Sequence, residues 1–131
     1  MDTGSAIAFI SEGSSQRGYL KSIVKDKKMI MTKMAKAEFE NIVSGVAGEK
    51  EKARAKRFLE KVKVVEDDPS ERAKKLIPSK KVGENDIVIF GTGDKRRAIT
   101  LTADKKFLSG ASYQKVDFDA IVHDPVPLKG D

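Results

Sequence analysis

Four acidic residues, separated by long stretches of chain, carry the chemistry legible in this sequence: Asp2 in MDTGSAIAF, Glu38 in MAKAEFENI, Asp86 in GENDIVIF and Asp104 in ITLTADKKF. Each stands at the edge of an apolar run, so a folded chain can bring all four to one place. Clustered carboxylates repel one another and resist desolvation, and a site built from them calls for a hard divalent cation, Mg2+ or Mn2+, to neutralise it. That donor set points to phosphodiester chemistry, in which such ions activate a water and stabilise the leaving oxygen.

Each acid also has a plain structural reading. Asp104 follows the ITLT segment by two residues, where an Asp commonly caps a helix. Asp86 can be the favourable negative charge in the first turn of a helix. Glu38 lies beside an apolar stripe of Ala35, Phe39 and Ile42, where a glutamate needs a partner, and Lys33 or Lys36 can supply an ordinary ion pair. Thr3 and Thr102 can orient a neighbouring carboxylate by hydrogen bonding, or serve only as strand formers.

The elements that must position these groups alternate in type. Helices are expected over residues 5–11 and 16–25, interrupted by the Gly13-Ser14-Ser15 turn signal, followed by a strand over 28–32 and a helix from Lys33 to about Val43, capped by Thr32. A surface helix follows from Lys50 to Val62, then the KVKVV strand and a short helix bounded by Pro69 and Pro78. GENDIVIFGTGD suits either a strand or a helix start, because four consecutive apolar residues carry no period. RAITLT (97–102) reads as a central strand, 103–109 as a helix and DFDAIV as a last strand. Gly91-Thr92-Gly93 reads as a turn, since no GxxxxGKS/T surrounds it. The pattern predicts an α/β fold, a three-layer α/β/α sandwich with a mainly parallel central sheet.

The chain has 131 residues, which suits one domain, expected over 1–124 with 125–131 as a C-terminal tail. Cysteine is absent, which excludes disulfides, zinc ribbons, iron–sulfur clusters and thiol nucleophiles, and is compatible with a reducing, cytoplasmic setting. No basic leader or membrane-spanning apolar run is apparent. His123 is the only histidine, so a two-imidazole mechanism is excluded within one chain and a structural role is expected. Met29, Met31 and Met34 fall at core-like positions. Lys and Arg number 26 against 20 acids, for a formal charge of +6, a balance that favours polyanions. Lys95, Arg96, Arg97 and Lys105 flank two of the acids and suit an anionic substrate. A second basic cluster from Lys50 to Lys63 is interleaved with Glu49, Glu51 and Glu60, as in a solvated, salt-bridged helix face.

Taken together, Asp2-Thr3, Glu38, Asn85-Asp86 and the element Thr102-Ala103-Asp104-Lys105-Lys106-Phe107 make the chain resemble the PIN-domain ribonucleases, a family that includes the toxin nucleases of toxin–antitoxin modules. The resemblance runs from Asp2 to about Asp124 and departs in one respect: only Met1 precedes Asp2, where the family has an apolar first strand. It implies that IVIF is helical. It implies a Mg2+- or Mn2+-dependent endoribonuclease whose catalytic, metal-binding residues are Asp2, Glu38, Asp86 and Asp104, with Thr3, Asn85 and Thr102 beside them. RNA is the implied substrate, an antitoxin or immunity protein the implied inhibitor, and a homodimer is compatible. Two other readings stay open: a catalytically inactive PIN-like module that binds RNA or protein, and a Mg2+-dependent phosphoaspartate receiver, which fits less well because no acid pair ends an early strand.

Overall fold

The computed structural model describes residues 1–130. Side-chain caps set most of the helix starts. Asp2 accepts from Ser5 N at 2.9 Å and opens α1 (Thr3–Ile10), two residues earlier than the apolar pattern alone suggests. After α2 (Arg17–Val24) comes the short strand β1 (Met29–Thr32), whose last residue caps α3 (Lys33–Val46) through Ala35 N at 3.0 Å. The chain continues through α4 (Glu49–Glu60), β2 (Val62–Val65), α5 (Glu71–Lys74), α6 (Glu84–Lys95), β3 (Thr100–Thr102), α7 (Lys105–Tyr113) and β4 (Ala120–Val122).

The fold is mixed α/β with parallel strands. β1 pairs with β2, from Met29 opposite Val62 to Thr32 opposite Val65, and β3 pairs with β4, from Thr100 opposite Ala120 to Thr102 opposite Val122. Instead of one central sheet, the strands form two parallel pairs. Met1 and Asp2 run between them. The Met1 amine donates to Ile30 O at 3.3 Å on one side, and Asp2 N donates to Leu101 O at 3.1 Å on the other. Two residues are too few to form a strand of their own, so the pairs are stitched together at one end only. β3 is shorter than RAITLT suggests, because Arg97 sits at φ +55° and Ala98 N turns back to Gly93 O at 2.9 Å.

Two aromatic clusters fill the core. Phe9 of α1, Phe39 of α3 and Phe58 of α4 form one, with centroids 5.1 and 5.9 Å apart. Phe90 of α6, Phe107 of α7 and Phe118 form the other, at 4.4 to 5.8 Å. Phe39, Phe90 and Phe107 are fully buried, each contributing roughly 1.5–3 kcal/mol. Met31 is buried as expected.

The ambiguous GENDIVIFGTGD segment is helical from Glu84 onward, with Gly83 as its N-cap. Gly91 and Gly93 are therefore not a turn but close-packing positions inside α6. A Cβ on Gly91 would lie 2.6 Å from Pro69 Cβ and 2.8 Å from Ala73 Cβ, and one on Gly93 would lie 2.7 Å from Thr100 Oγ1. The absence of those methyl groups lets α6 lie directly against α5 and β3.

The α4 surface also departs from expectation. Glu51 is not part of a solvated face. It is fully buried, and its carboxylate accepts from Glu12 N (2.9 Å), Gly48 N (3.2 Å), Lys129 N (2.9 Å) and Gly130 N (2.8 Å). The segment after Asp124 is thereby strapped to α4, with Val126 and Leu128 packed on the core. Burial alone would raise the Glu51 pKa, but the four N–H donors outweigh it and hold the carboxyl at about 2. A folded pKa below the unfolded one means stability that is present above the ordinary glutamate range and lost as pH falls toward 2. Glu51→Gln presents an amide NH2 to two of these donors and is expected to cost about 2 kcal/mol. Its urea midpoint should fall at pH 7 and converge on that of the wild type near pH 2. Equal midpoints at pH 7 would remove Glu51 from this role.

Candidate functional site

Four helices meet at one cleft, lined by Asp2, Thr3, Gly4, Glu38, Asp86, Ile89, Ala103 and Asp104. All four acids singled out in the sequence are therefore brought together, from four different elements. α1 and α7 carry Asp2 and Asp104 as their N-caps, α6 carries Asp86 in its first turn, and α3 presents Glu38 from its second turn. The dipoles of α1, α6 and α7, whose first turns lie at the cleft, favour negative charge there, which offsets part of the repulsion.

The carboxylates are held by a defined set of hydrogen bonds. Thr102 Oγ1 donates to Asp2 Oδ2 at 2.5 Å and accepts from Asp104 N at 2.9 Å, which links α1, β3 and α7 through one buried hydroxyl. Asp104 Oδ1 accepts from Phe107 N at 3.0 Å, its capping bond. The Thr3 hydroxyl is shared between Ala35 O at 3.4 Å and Glu38 Oε2 at 3.3 Å. Asn85 Nδ2 donates to Glu38 Oε1 at 3.0 Å, tying α6 to α3. Thr3, Asn85 and Thr102 thus each contact a cleft carboxylate. Asp104 is both a cap and a cleft group, so the two readings of its sequence position are not exclusive. The lysines near Glu38 are engaged elsewhere, Lys33 with Glu66 at 2.6 Å and Lys36 with Glu40 at 3.8 Å.

Ser5 is a contributor that sequence patterning did not single out. Its N–H donates to the capping carboxylate of Asp2, and its Oγ lies 2.7 Å from His123 Nε2 in the interior. His123 Nδ1 faces Asp124 O at 2.8 Å, which assigns the proton to Nδ1 and leaves Nε2 to accept from Ser5. The lone histidine therefore braces the helix that Asp2 opens. The available signal was the position of Ser5, three residues after a capping Asp.

The basic residues divide. Lys105 opens α7 immediately after Asp104 and is exposed at the cleft's rim. Lys95 and Arg96 lie at the other end of α6 from Asp86, roughly 14 Å away at 1.5 Å per residue, and Lys95 is paired with Asp68 at 2.9 Å. Arg97 borders a separate apolar groove. These three do not reach the carboxylates.

The cleft carries uncompensated negative charge. Burial pushes the Asp86 carboxyl up to about 6, with repulsion from Asp104, Asp2 and Glu38 and a hydrogen bond to Asp104 adding to the shift. Among the described residues, no three Asp, Glu, His or Cys side chains stand in metal-holding geometry. The arrangement is a ring of carboxylates, with Asp2 buried and pinned and Glu38, Asp86 and Asp104 half-buried.

A folded pKa raised above the ordinary Asp range means that the native state holds a proton the unfolded chain releases. Stability from this group is present below about pH 4 and lost as pH rises through 6. Asp86→Asn removes that loss. It should raise the melting temperature at pH 7.5 by about 3–5 °C, the displacement that ~1 kcal/mol produces in a domain of this size, and have little effect at pH 4. A variant that melts lower than wild type at pH 7.5 would contradict the repulsion.

Three of the four acids fall inside the span of a family match. The family model described as "Protein of unknown function (DUF1308)" matches residues 13–131, which takes in Glu38, Asp86 and Asp104 and leaves out Asp2. The chain belongs to the DUF1308 family.

Proposed function

We propose that the protein is a metal-dependent endoribonuclease with a PIN-like site. The observation that carries this reading is the convergence of Asp2, Glu38, Asp86 and Asp104 in one cleft, from positions spread over a hundred residues, with Asp86 raised to about 6 by burial and by its acidic neighbours. Structural acids are normally satisfied by donors, as Glu51 is. Carboxylates that face one another store repulsion, which marks a candidate functional site.

In chemical type the donor set suits Mg2+ or Mn2+: four hard carboxylates, with no sulfur and no histidine lining the cleft. Asp2, Glu38, Asp86 and Asp104 would hold the ion. When bound, it would neutralise the cleft and supply Lewis-acid activation for hydrolysis at phosphorus. The chain's own residues do the rest. Thr102 fixes the rotamer of Asp2, Thr3 and Asn85 fix Glu38, and the N–H of Phe107 holds one oxygen of Asp104 and leaves the other toward the cleft. Below pH 6 Asp86 carries a proton, which weakens its use as a ligand and predicts activity that rises with pH through that range. Lys105 at the rim supplies positive charge to an approaching phosphodiester, consistent with the overall charge of +6.

On this reading the two strand pairs, joined through Met1 and Asp2, act as one parallel sheet between helical layers, the three-layer α/β/α arrangement of PIN domains. RNA is the substrate, and a protein inhibitor that blocks the cleft would fit a toxin-like member of that group.

Purified wild-type protein should cleave total RNA or tRNA in Mn2+ or Mg2+ and lose activity in EDTA. Glu38→Gln, Asp86→Asn and Asp104→Asn should each lower cleavage by about 100-fold or more, while circular dichroism and melting temperature stay at or above wild type for Asp86→Asn. Undiminished cleavage by the Asp86 and Asp104 variants would reject the site. Salt-sensitive RNA binding without cleavage in any divalent cation would replace the enzyme by a binding module.

A further inference from the structure

A second pocket lies at the far end of α1 from the carboxylates, roughly 12 Å of helix rise away. It has a volume of about 380 Å3, and five of the side chains that line it are cationic: Arg17 and Lys21 from α2, Arg54 and Arg57 from α4, and Lys61, the C-cap of α4. Among the described residues, no carboxylate lines it. Its floor is apolar, with Phe9 and Phe58 buried and Val24 and Met29 half-buried.

Residue spacing builds this pocket. Arg17 and Lys21 stand four apart on α2, and Arg54, Arg57 and Lys61 stand three and four apart along α4, so each helix gathers its cations on one face. In sequence the stretch from Lys50 to Lys63 is interleaved with Glu49, Glu51 and Glu60. On the face that meets the pocket the acids drop out and the cations remain.

The five cations divide by what they hold. Arg17 Nε donates to Phe9 O at 2.7 Å and its Nη2 donates to Ser11 O, while Arg54 Nε donates to Ile10 O at 2.6 Å and its Nη2 to Glu12 Oε2 at 2.7 Å. These two guanidiniums close the C-terminus of α1, where the last carbonyls lack intrahelical partners and the dipole favours positive charge. Lys21, Arg57 and Lys61 are spared that duty. They are exposed, and among the described residues they make no hydrogen bond or ion pair. Three unmatched positive charges therefore border one concave space with an apolar floor, the inverse of the carboxylate cleft.

We propose that this pocket binds a soluble organic phosphate, a phosphate monoester with a small apolar or aromatic body. Such a group carries about −1.5 to −2 charges at pH 7, which the three cations match, and the planar fork of Arg57 is built to take two of its oxygens at once. The apolar body covers Val24 and Met29, which inorganic phosphate is too small to do. The volume falls within the roughly 300–1,000 Å3 of small-molecule sites. The inference stands apart from the nuclease reading, since none of the four cleft acids lines this pocket.

The test uses the full chain in EDTA with phenyl phosphate as the probe, followed by calorimetry and by the methyl NMR signals of Val24 and Met29. Phenyl phosphate should bind about tenfold or more tightly than either inorganic phosphate or phenol, and should shift both methyl signals. The double variant Arg57→Gln, Lys61→Gln should lose about tenfold in affinity with its melting temperature unchanged, because both side chains are exposed. Phenyl phosphate that binds no better than inorganic phosphate, or equally well to the double variant, would overturn the proposal. So would binding confined to phosphatidylcholine vesicles containing phosphatidic acid, which would make the pocket a membrane contact, or confined to a short RNA, which would make it part of a nucleic-acid track. Cleavage plays no part in the readout, so the outcome is separable from that of the proposed activity.

Discussion

The structure depends on the two-residue crossing at Met1 and Asp2. Asp2 acts through its backbone N–H to Leu101, through one carboxylate oxygen that caps α1, and through the other that accepts from Thr102. A buried carboxylate is tolerable only when its lone pairs are met, and here the partners come from β3 and from the first turn of α1. The same bonds therefore join the two strand pairs and aim the first acid at the cleft. Placing β3 against Asp2 also fixes Asp104, because Thr102 is bonded to both. Packing and chemistry are inseparable at this point.

Two carboxylates in one small protein, Glu51 and Asp86, show how environment sets the direction in which an acid is shifted. Glu51 is more deeply buried than Asp86, yet it stays ionised to about pH 2, because four backbone donors converge on it. Asp86 is less buried and is pushed the other way, to about 6, first by burial and then by the carboxylates around it. Desolvation raises both, and only at Glu51 do enough donors converge to reverse the sign. The fold thus surrounds the acid that straps its C-terminal segment with donors, and sets Asp86 among other carboxylates in the cleft.

Much of this was legible in the residues. Asp2, Thr32 and Asp104 are capping types placed just before apolar runs, and each caps the helix it precedes. The strand–helix order β1 to α3 and β3 to α7 followed from Thr32 and from the ITLTADKKF element. The remainder was hidden for physical reasons. A charged helix such as α4 does not reveal that one of its glutamates turns inward to collect amides from a segment about eighty residues later. Nor does the GTG sequence betray a helix, because its glycines serve close packing instead of a turn, and that requirement exists only once Pro69, Ala73 and Thr100 are in place. Lys95 and Arg96 lie near Asp104 in sequence but far from it in space, because a whole helix length separates them from the end of α6 that meets the cleft.

Those glycines bear on the site itself. α6 is one rigid element from Glu84 to Lys95, and Asp86 stands at its first turn while Gly91 and Gly93 stand in its second half. A methyl group at Gly91 would overlap Pro69 and Ala73, and one at Gly93 would overlap Thr100, so either would displace the helix from α5 and β3. Interiors transmit such a displacement because they are close-packed, and Asp86 lies only five residues, about 7.5 Å of helix rise, from Gly91. A shift at that contact would open the spacing between Asp86 and Asp104 and loosen the Asn85 bond to Glu38. The separation of the cleft carboxylates, on which both their repulsion and any shared cation depend, thus requires the close contacts that α6 makes at Gly91 with Pro69 and Ala73 and at Gly93 with Thr100.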